Sequence, residues 1–88
     1  MGESAQRFGD ANTGGGTISS VPQSTVFVNG KLLSVDGSSV TTHGLHSGAT
    51  TANGSETVFA KNLAVNRTGD ADSCTHTRTG GSSNVNIG

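Results

Sequence analysis

The chain has 88 residues, which is enough for one domain (1–88) with only a small core. Hydrophobic residues make up 30% of it, and the net charge is −1 with the five Lys and Arg residues scattered singly, which argues against a nucleic-acid surface. No apolar stretch at the N-terminus resembles a secretory signal, and no segment is long and apolar enough to span a bilayer.

Residues 1–20 are polar, and their glycine run Gly14–Gly16 predicts a loop. Two short β-rich runs follow, Ser24–Val28 and Lys31–Val35, with Asn29-Gly30 between them. Asn-Gly between such runs is a strong hairpin signal, because both residues tolerate the positive φ that a type I′ turn needs. We therefore predict a hairpin at this point.

The same pattern returns 32 residues later in the chain. Ser55–Ala60 repeats the run Gln23–Val28, and a shorter third copy, Gly81–Gly88, ends the sequence. A partial copy also opens the chain, since Arg7–Asp10 matches Arg67–Asp70. A hairpin this small cannot bury its own apolar face, so the copies must pack on one another. No segment shows helical periodicity, so we predict an all-β fold of hairpins and short strands arranged around an axis.

The repeat places two of the three phenylalanines at equivalent positions. Phe27 and Phe59 align under the shift of 32, and we expect both rings to be buried. Asn86 takes their place in the third copy, where we expect a smaller contribution to the core.

All three histidines and the only cysteine lie in the loops between the copies, as His43-Gly-Leu-His46 and Cys74-Thr-His76. A structural zinc ion takes four nitrogen and sulfur ligands in tetrahedral geometry, and these four side chains fill such a site. We predict a structural zinc bound by His43, His46, Cys74 and His76, with iron as the alternative metal. The alternative for Cys74 is a small buried apolar residue.

The poor core makes a metal useful. One cysteine excludes an internal disulfide, so the chain must be metal-bound, oligomeric or disordered. Disorder is the main rival, because Gly, Ser and Thr together supply 38 residues. The low net charge and the β-branched runs favour an ordered chain, and a structural zinc adds about 10–16 kcal/mol of apparent folding free energy.

In this order, the motifs resemble those of the PAAR-repeat proteins. The matching pieces are Thr25–Lys31, Arg67–Asp70, Cys74–His76 and Gly81–Val85. The literal Pro-Ala-Ala-Arg segment is absent: Leu32–Val35 and Ala64–Arg67 stand in its two places, and only the second keeps the arginine. The resemblance extends over nearly all of the chain from Arg7 onward.

PAAR-repeat proteins are zinc-tipped conical caps on the central spike of contractile phage tails and type VI secretion systems. The resemblance implies a conical pseudo-threefold fold with the zinc at its apex. It implies a monomeric cap, one per trimeric β-helical spike protein, that sharpens the point driven through the target cell envelope. Such a protein is made in the bacterial cytoplasm and delivered on the spike, and it is not an enzyme. The length of the chain leads us to expect a bare tip without an effector domain.

Two other functions are compatible with the sequence. One is a small zinc-dependent β-repeat binding module. The other is a zinc hydrolase with His43 and His46 as ligands and Asp70, Asp72 or Glu56 as general base, which would need an open coordination position and a pocket. Asp70 and Asp72 are alternatively turn residues, or partners that orient a ligand histidine.

Overall fold

The computed structural model describes residues 3–41, 49–73 and 76–87. It contains nine short strands: β1 (Glu3–Ser4), β2 (Ile18–Ser20), β3 (Phe27–Val28), β4 (Lys31–Leu32), β5 (Ser39–Val40), β6 (Ala49–Thr50), β7 (Phe59–Ala60), β8 (Leu63–Ala64) and β9 (Asn86–Ile87). No helix occurs in the described ranges, so none there could cross a membrane. The prediction of an all-β fold is confirmed, as a small body measuring 32 × 25 × 22 Å.

Two of the strand pairs are tight hairpins. β3 and β4 pair antiparallel around Asn29-Gly30, whose φ angles are 56° and 78°, as predicted from the sequence. β7 and β8 pair in the same way around Lys61-Asn62, with φ angles of 53° and 68°. Positive φ at both central residues is the requirement of a type I′ turn, which matches the twist of the flanking strands.

A third strand pair has the same form, although it is built from the two ends of the described chain. β9 pairs antiparallel with β1, with Ile87 opposite Glu3 and Asn86 opposite Ser4. The N–H of Ala5 then donates to the carbonyl of Val85 (2.9 Å), as Leu33 donates to Val26 (2.9 Å) in the first hairpin. The last strand therefore closes the structure against the first one.

The expectation of buried phenylalanines is wrong. The Phe27 and Phe59 side chains are both 57% exposed, although each begins a two-residue strand next to a tight turn. Successive residues of a strand point to opposite faces, and Val26 and Val28 pack against the core. Phe27 lies between them and must therefore face outward.

A four-residue turn occurs three times. In each, the fourth N–H donates to the first carbonyl, and the fourth side chain accepts the first N–H. The third residue is a glycine in each turn, with φ between +89° and +94°. This position of a type II turn needs a positive φ, which a side chain would oppose. The three turns are Arg7–Asp10, Val35–Ser38 and Arg67–Asp70.

Just before these turns, three backbone hydrogen bonds form a closed cycle. The N–H of Gln6 donates to the carbonyl of Asn66 (3.1 Å), Asn66 donates to Ser34 (3.0 Å), and Ser34 donates back to Gln6 (2.9 Å). All three residues are fully buried. Three segments far apart in the sequence therefore meet in one ring.

The apolar core adjoins this ring. Ala5, Leu33 and Val65, which directly precede the three ring residues, are all at most 5% exposed. The core cluster consists of Ala5, Leu33, Val35, Ala60, Val65 and Ile87. On the far side of the turns, β2, β5 and β6 form a separate three-stranded sheet in the order β2-β5-β6.

Candidate metal centre and docking face

Three of the four predicted zinc ligands, His43, His46 and Cys74, lie outside the described residues. The fourth, His76, is half-buried, and its carbonyl accepts the N–H of Asp72 at 2.7 Å. Within the described ranges, no three His, Cys, Asp or Glu side chains come together as a metal site. The zinc site therefore stays a prediction, and the described residues around it give its setting.

The two halves of the predicted ligand set are attached to backbone that is directly connected. Thr50 follows the segment with His43 and His46, and Ser73 directly precedes Cys74. The N–H of Thr50 donates to Ser73 Oγ (3.1 Å), and the N–H of Ser73 donates to the carbonyl of Thr50 (2.8 Å). This juxtaposition of the attachment points is compatible with a metal shared by both halves.

The glycine-rich loop lies at the same end of the molecule. The N–H of Thr13 donates to the carbonyl of Thr77 (2.9 Å), and that of Thr41 donates to the carbonyl of Thr17 (2.9 Å). Asn12 Oδ1 shapes this loop by accepting two backbone N–H groups, those of Gly14 and Gly16, both at 2.9 Å. The described ends of three connections are thus linked by backbone hydrogen bonds, and the connection without histidine consists of small residues, 13–16.

A buried polar cluster supports this end. Asp72 Oδ2 lies 3.2 Å from Arg78 Nη2, with both side chains 0% exposed, and accepts a hydrogen bond from Asn12 Nδ2 at 2.8 Å. Asp72 is therefore neither a simple turn residue nor an exposed base, because its carboxylate balances a buried guanidinium. Nothing in the local sequence distinguishes Arg78 from the other isolated cations, so sequence reasoning missed it.

Asp70 is a turn residue, which was one of its three predicted roles. It accepts the backbone N–H of Arg67 (2.8 Å) and two hydrogen bonds from the Arg67 guanidinium. The guanidinium bonds to Asp70 raise the pKa of Arg67. Glu56 lines a surface cavity of about 380 Å³ together with Arg67 and Asn53. His76 is not among the residues that line this cavity.

Three valines at the edge of the core are incompletely covered. Val26, Val58 and Val85 are partly buried and pack against the core cluster. The carbonyl of each valine accepts a backbone N–H from the residue just before a ring residue. The valine's own N–H donates to a side chain three residues earlier. The capping residues are Gln23, Ser55 and Ser82. We call these three similarly bonded valines the valine floor, and the exposed Phe27 and Phe59 directly follow two of them in the sequence.

The geometry and the residue chemistry are what bear on function for this chain. No family model matches it, and no curated protein matches it either.

Proposed function

We propose that this protein is a PAAR-like spike tip: a monomeric, non-enzymatic cap with a structural zinc at its narrow end and a trimeric β-helical spike protein at its broad end. It would act in a contractile injection machine, either a phage tail or a type VI secretion system. In this role it would be carried on the spike through the target envelope.

The observation that carries the proposal is the closed cycle of hydrogen bonds through Gln6, Ser34 and Asn66. Each member comes from a different copy of the sequence pattern, and each is followed by the same glycine-containing turn. A pseudo-threefold axis through this cycle accounts for both facts. A single chain with such an axis can match the true threefold end of a trimer without being a trimer itself.

The proposed zinc would be held by His43, His46, Cys74 and His76. Their donor set suits a closed structural site, because two or more imidazoles and a thiolate are ordinary zinc ligands. The Thr50–Ser73 hydrogen bonds support a shared site, since they join the backbone beside both halves. A vertex a few residues wide holds no apolar core, so a metal cross-link would supply stability there.

The valine floor supports the position of the spike interface. Val26, Val58 and Val85 belong to the three copies, and one valine would meet each spike chain. Each valine lies next to a strand pair, so backbone groups of edge strands would also be available for contact. Phe27 and Phe59 would add aromatic contacts at two of the three positions, whereas Asn86 occupies the third.

Metal content tests the narrow end. Elemental analysis of the purified chain should give one zinc per 8.7 kDa chain. Cys74→Ser should lower zinc affinity and thermal stability, because the thiolate is the only anionic side chain in the set, whereas Ser83→Ala at an exposed position should change neither. A folded chain without stoichiometric transition metal would contradict the zinc assignment.

The mass of a complex tests the broad end. Mixed with a trimeric spike fragment, the chain should give a complex of one cap and three spike chains by light scattering. Val58→Asp should abolish the complex without removing the zinc. Three caps per trimer, or loss of binding on substitutions around His43 that leave the fold intact, would show that the two ends are assigned wrongly.

A further inference from the structure

We propose that the edge formed by Glu3–Ala5 is a strand-acceptor site, and that its occupant in trans is the C-terminal segment Ser82–Ile87 of a second copy of this chain. The inference does not depend on the proposed spike function. It rests on how that segment is held and on how it is joined to the rest of the molecule.

The segment is seated as an added strand. Its backbone pairs with Glu3 and Ser4, the N–H of Ala5 donates to Val85 (2.9 Å), and the N–H of Ser82 donates to the carbonyl of Ala5 (2.8 Å). The Ile87 side chain, 9% exposed, is a member of the core cluster. These contacts are backbone hydrogen bonds plus one apolar anchor, which is the usual recognition mode of strand addition.

The two hairpins of the same form, β3–β4 and β7–β8, differ from the β9–β1 pair in how their strands are joined. Each of them is joined by a two-residue turn, at Asn29-Gly30 and at Lys61-Asn62. No such turn joins β9 to β1, which come from opposite ends of the described chain. The β9–β1 pair can therefore open and close again while the covalent hairpins stay intact.

Two glycines join the segment to the body of the protein. The body ends at Thr79, whose N–H donates to the carbonyl of Ala11 at 2.9 Å, and Gly80 and Gly81 follow with φ of +67° and +95°. Released from this geometry, two consecutive glycines turn freely. Such a hinge spans about 7 Å when extended, so an exchanged segment reaches only a copy lying directly alongside.

These features commit the site to one occupant. No contact in the seat depends on covalent connection, so Ser82–Ile87 of a second copy satisfies the same hydrogen bonds and fills the same space. Exchange of identical elements between two copies gives a closed symmetric dimer. The hinge keeps the segment of the same chain at high local concentration, so the monomer dominates when dilute and the dimer forms when the chain is concentrated.

A labelled peptide tests the acceptor site. The probe is a fluorescent peptide of sequence Gly81–Gly88, and the acceptors are the full-length wild-type chain and a full-length Ile87→Ser chain, whose own segment has lost its apolar anchor. We expect the peptide to bind the Ile87→Ser chain at least tenfold more tightly by fluorescence anisotropy. A peptide carrying Val85→Asp should bind neither, and a Val85→Ser chain serves as a second weakened acceptor.

The mass of the wild-type chain tests the exchange itself. Concentrated protein should contain a species of twice 8.7 kDa by light scattering, and deletion of Gly80 should increase that species because the shortened hinge no longer reaches its own seat. The proposal is overturned if the peptide binds wild-type and both weakened chains equally, or none of them. It is also overturned if the Gly80 deletion leaves a purely monomeric folded chain.

Discussion

Asp72 and Arg78 show what a single buried pair does in a small protein. Both side chains are fully buried, and Asp72 also accepts a hydrogen bond from Asn12. The residue that corresponds to Arg78 after the opening turn Arg7–Asp10 is Ile18, because each donates its N–H to the carbonyl of the fourth turn residue. Ile18 is buried as well. A buried ion pair thus stands at a position where the opening turn has a buried apolar side chain. Each of the two buried charges is stabilised by the other.

Removing one charge of this pair should be costly. Asp72→Ala leaves the Arg78 guanidinium buried without its carboxylate, so we expect a loss of about 3–5 kcal/mol in the free energy of unfolding. Urea denaturation in excess zinc measures it. Glu56→Ala, at an exposed carboxylate, should stay within about 0.5 kcal/mol of wild type. A loss for Asp72→Ala as small as that of the control would contradict the assigned role.

Leu33 and Phe27 allow a comparison of a buried and an exposed apolar residue within one hairpin. Leu33 is 5% exposed, so Leu33→Ala should cost about 2–5 kcal/mol. Phe27 is 57% exposed and has Leu32 opposite it across the strands, so Phe27→Ala should cost less than about 1 kcal/mol. Thermal unfolding of both variants checks this order, which would be reversed if the Phe27 side chain contributed more to the core than Leu33.

At the scale of single elements, the three glycine-containing turns set the path of the chain. Each turn directly follows a ring residue. In two turns the fourth residue is an aspartate that also holds an arginine, whereas the middle turn uses Ser38, whose Oγ accepts the N–H of Val35 at 3.3 Å. The glycine is the shared requirement, and the ion pair is not.

The turn glycines should therefore respond alike to substitution. Gly9→Ala, Gly37→Ala and Gly69→Ala should each lower the free energy of unfolding by about 1–2 kcal/mol, because a side chain opposes the positive φ. Gly69→Asn should cost less, because Asn adopts positive φ more readily than other residues with a side chain. Equilibrium denaturation of the set tests this. Unequal losses among the three alanine variants would mean that the turns are not alike.

For the molecule as a whole, the sequence predicted elements better than it predicted their surroundings. Asn29-Gly30 carries its own turn signal, so the first hairpin and the all-β class followed from local chemistry. The exposure of Phe27 did not follow from local chemistry. It is decided by the alternation of side chains along the strand, and the run Val26–Val28 is apolar throughout. A shift of 32 in the sequence also could not show which face of each hairpin the core covers.

The long-range features were out of reach for a different reason. The β1–β9 pair and the Asp72–Arg78 ion pair depend on how the copies meet, and no local spacing encodes that. For the candidate site, the spacing of the histidines and the cysteine predicted four ligands, but only His76 lies within the described residues. The Thr50–Ser73 contact beside them had no sequence signal at all, since both are ordinary polar residues.

The order of the copies along the chain should be interchangeable. Joining Ile87 to Glu3 through Asn-Gly and opening the chain between Asn29 and Gly30 keeps every strand pair, because Ile87 lies opposite Glu3 as Val28 lies opposite Lys31. We expect this circular permutant to fold with the same pattern of amide hydrogen exchange. Opening instead between Ser34 and Val35, within the ring, should prevent folding. A permutant opened at Asn29 that stays unfolded would show that the covalent turn there is essential.

The pairing of the first strand with the last also decides when this protein can fold during its synthesis. A nascent chain still lacking Asn86 and Ile87 leaves Glu3 and Ser4 unpaired and the core without one of its members. The ribosome covers the most recently made residues, so β9 cannot pair with β1 while Asn86 and Ile87 are still covered. Folding should therefore be complete only once β9 has emerged, and chains stalled with Gly88 as their last added residue should remain sensitive to protease until they leave the ribosome.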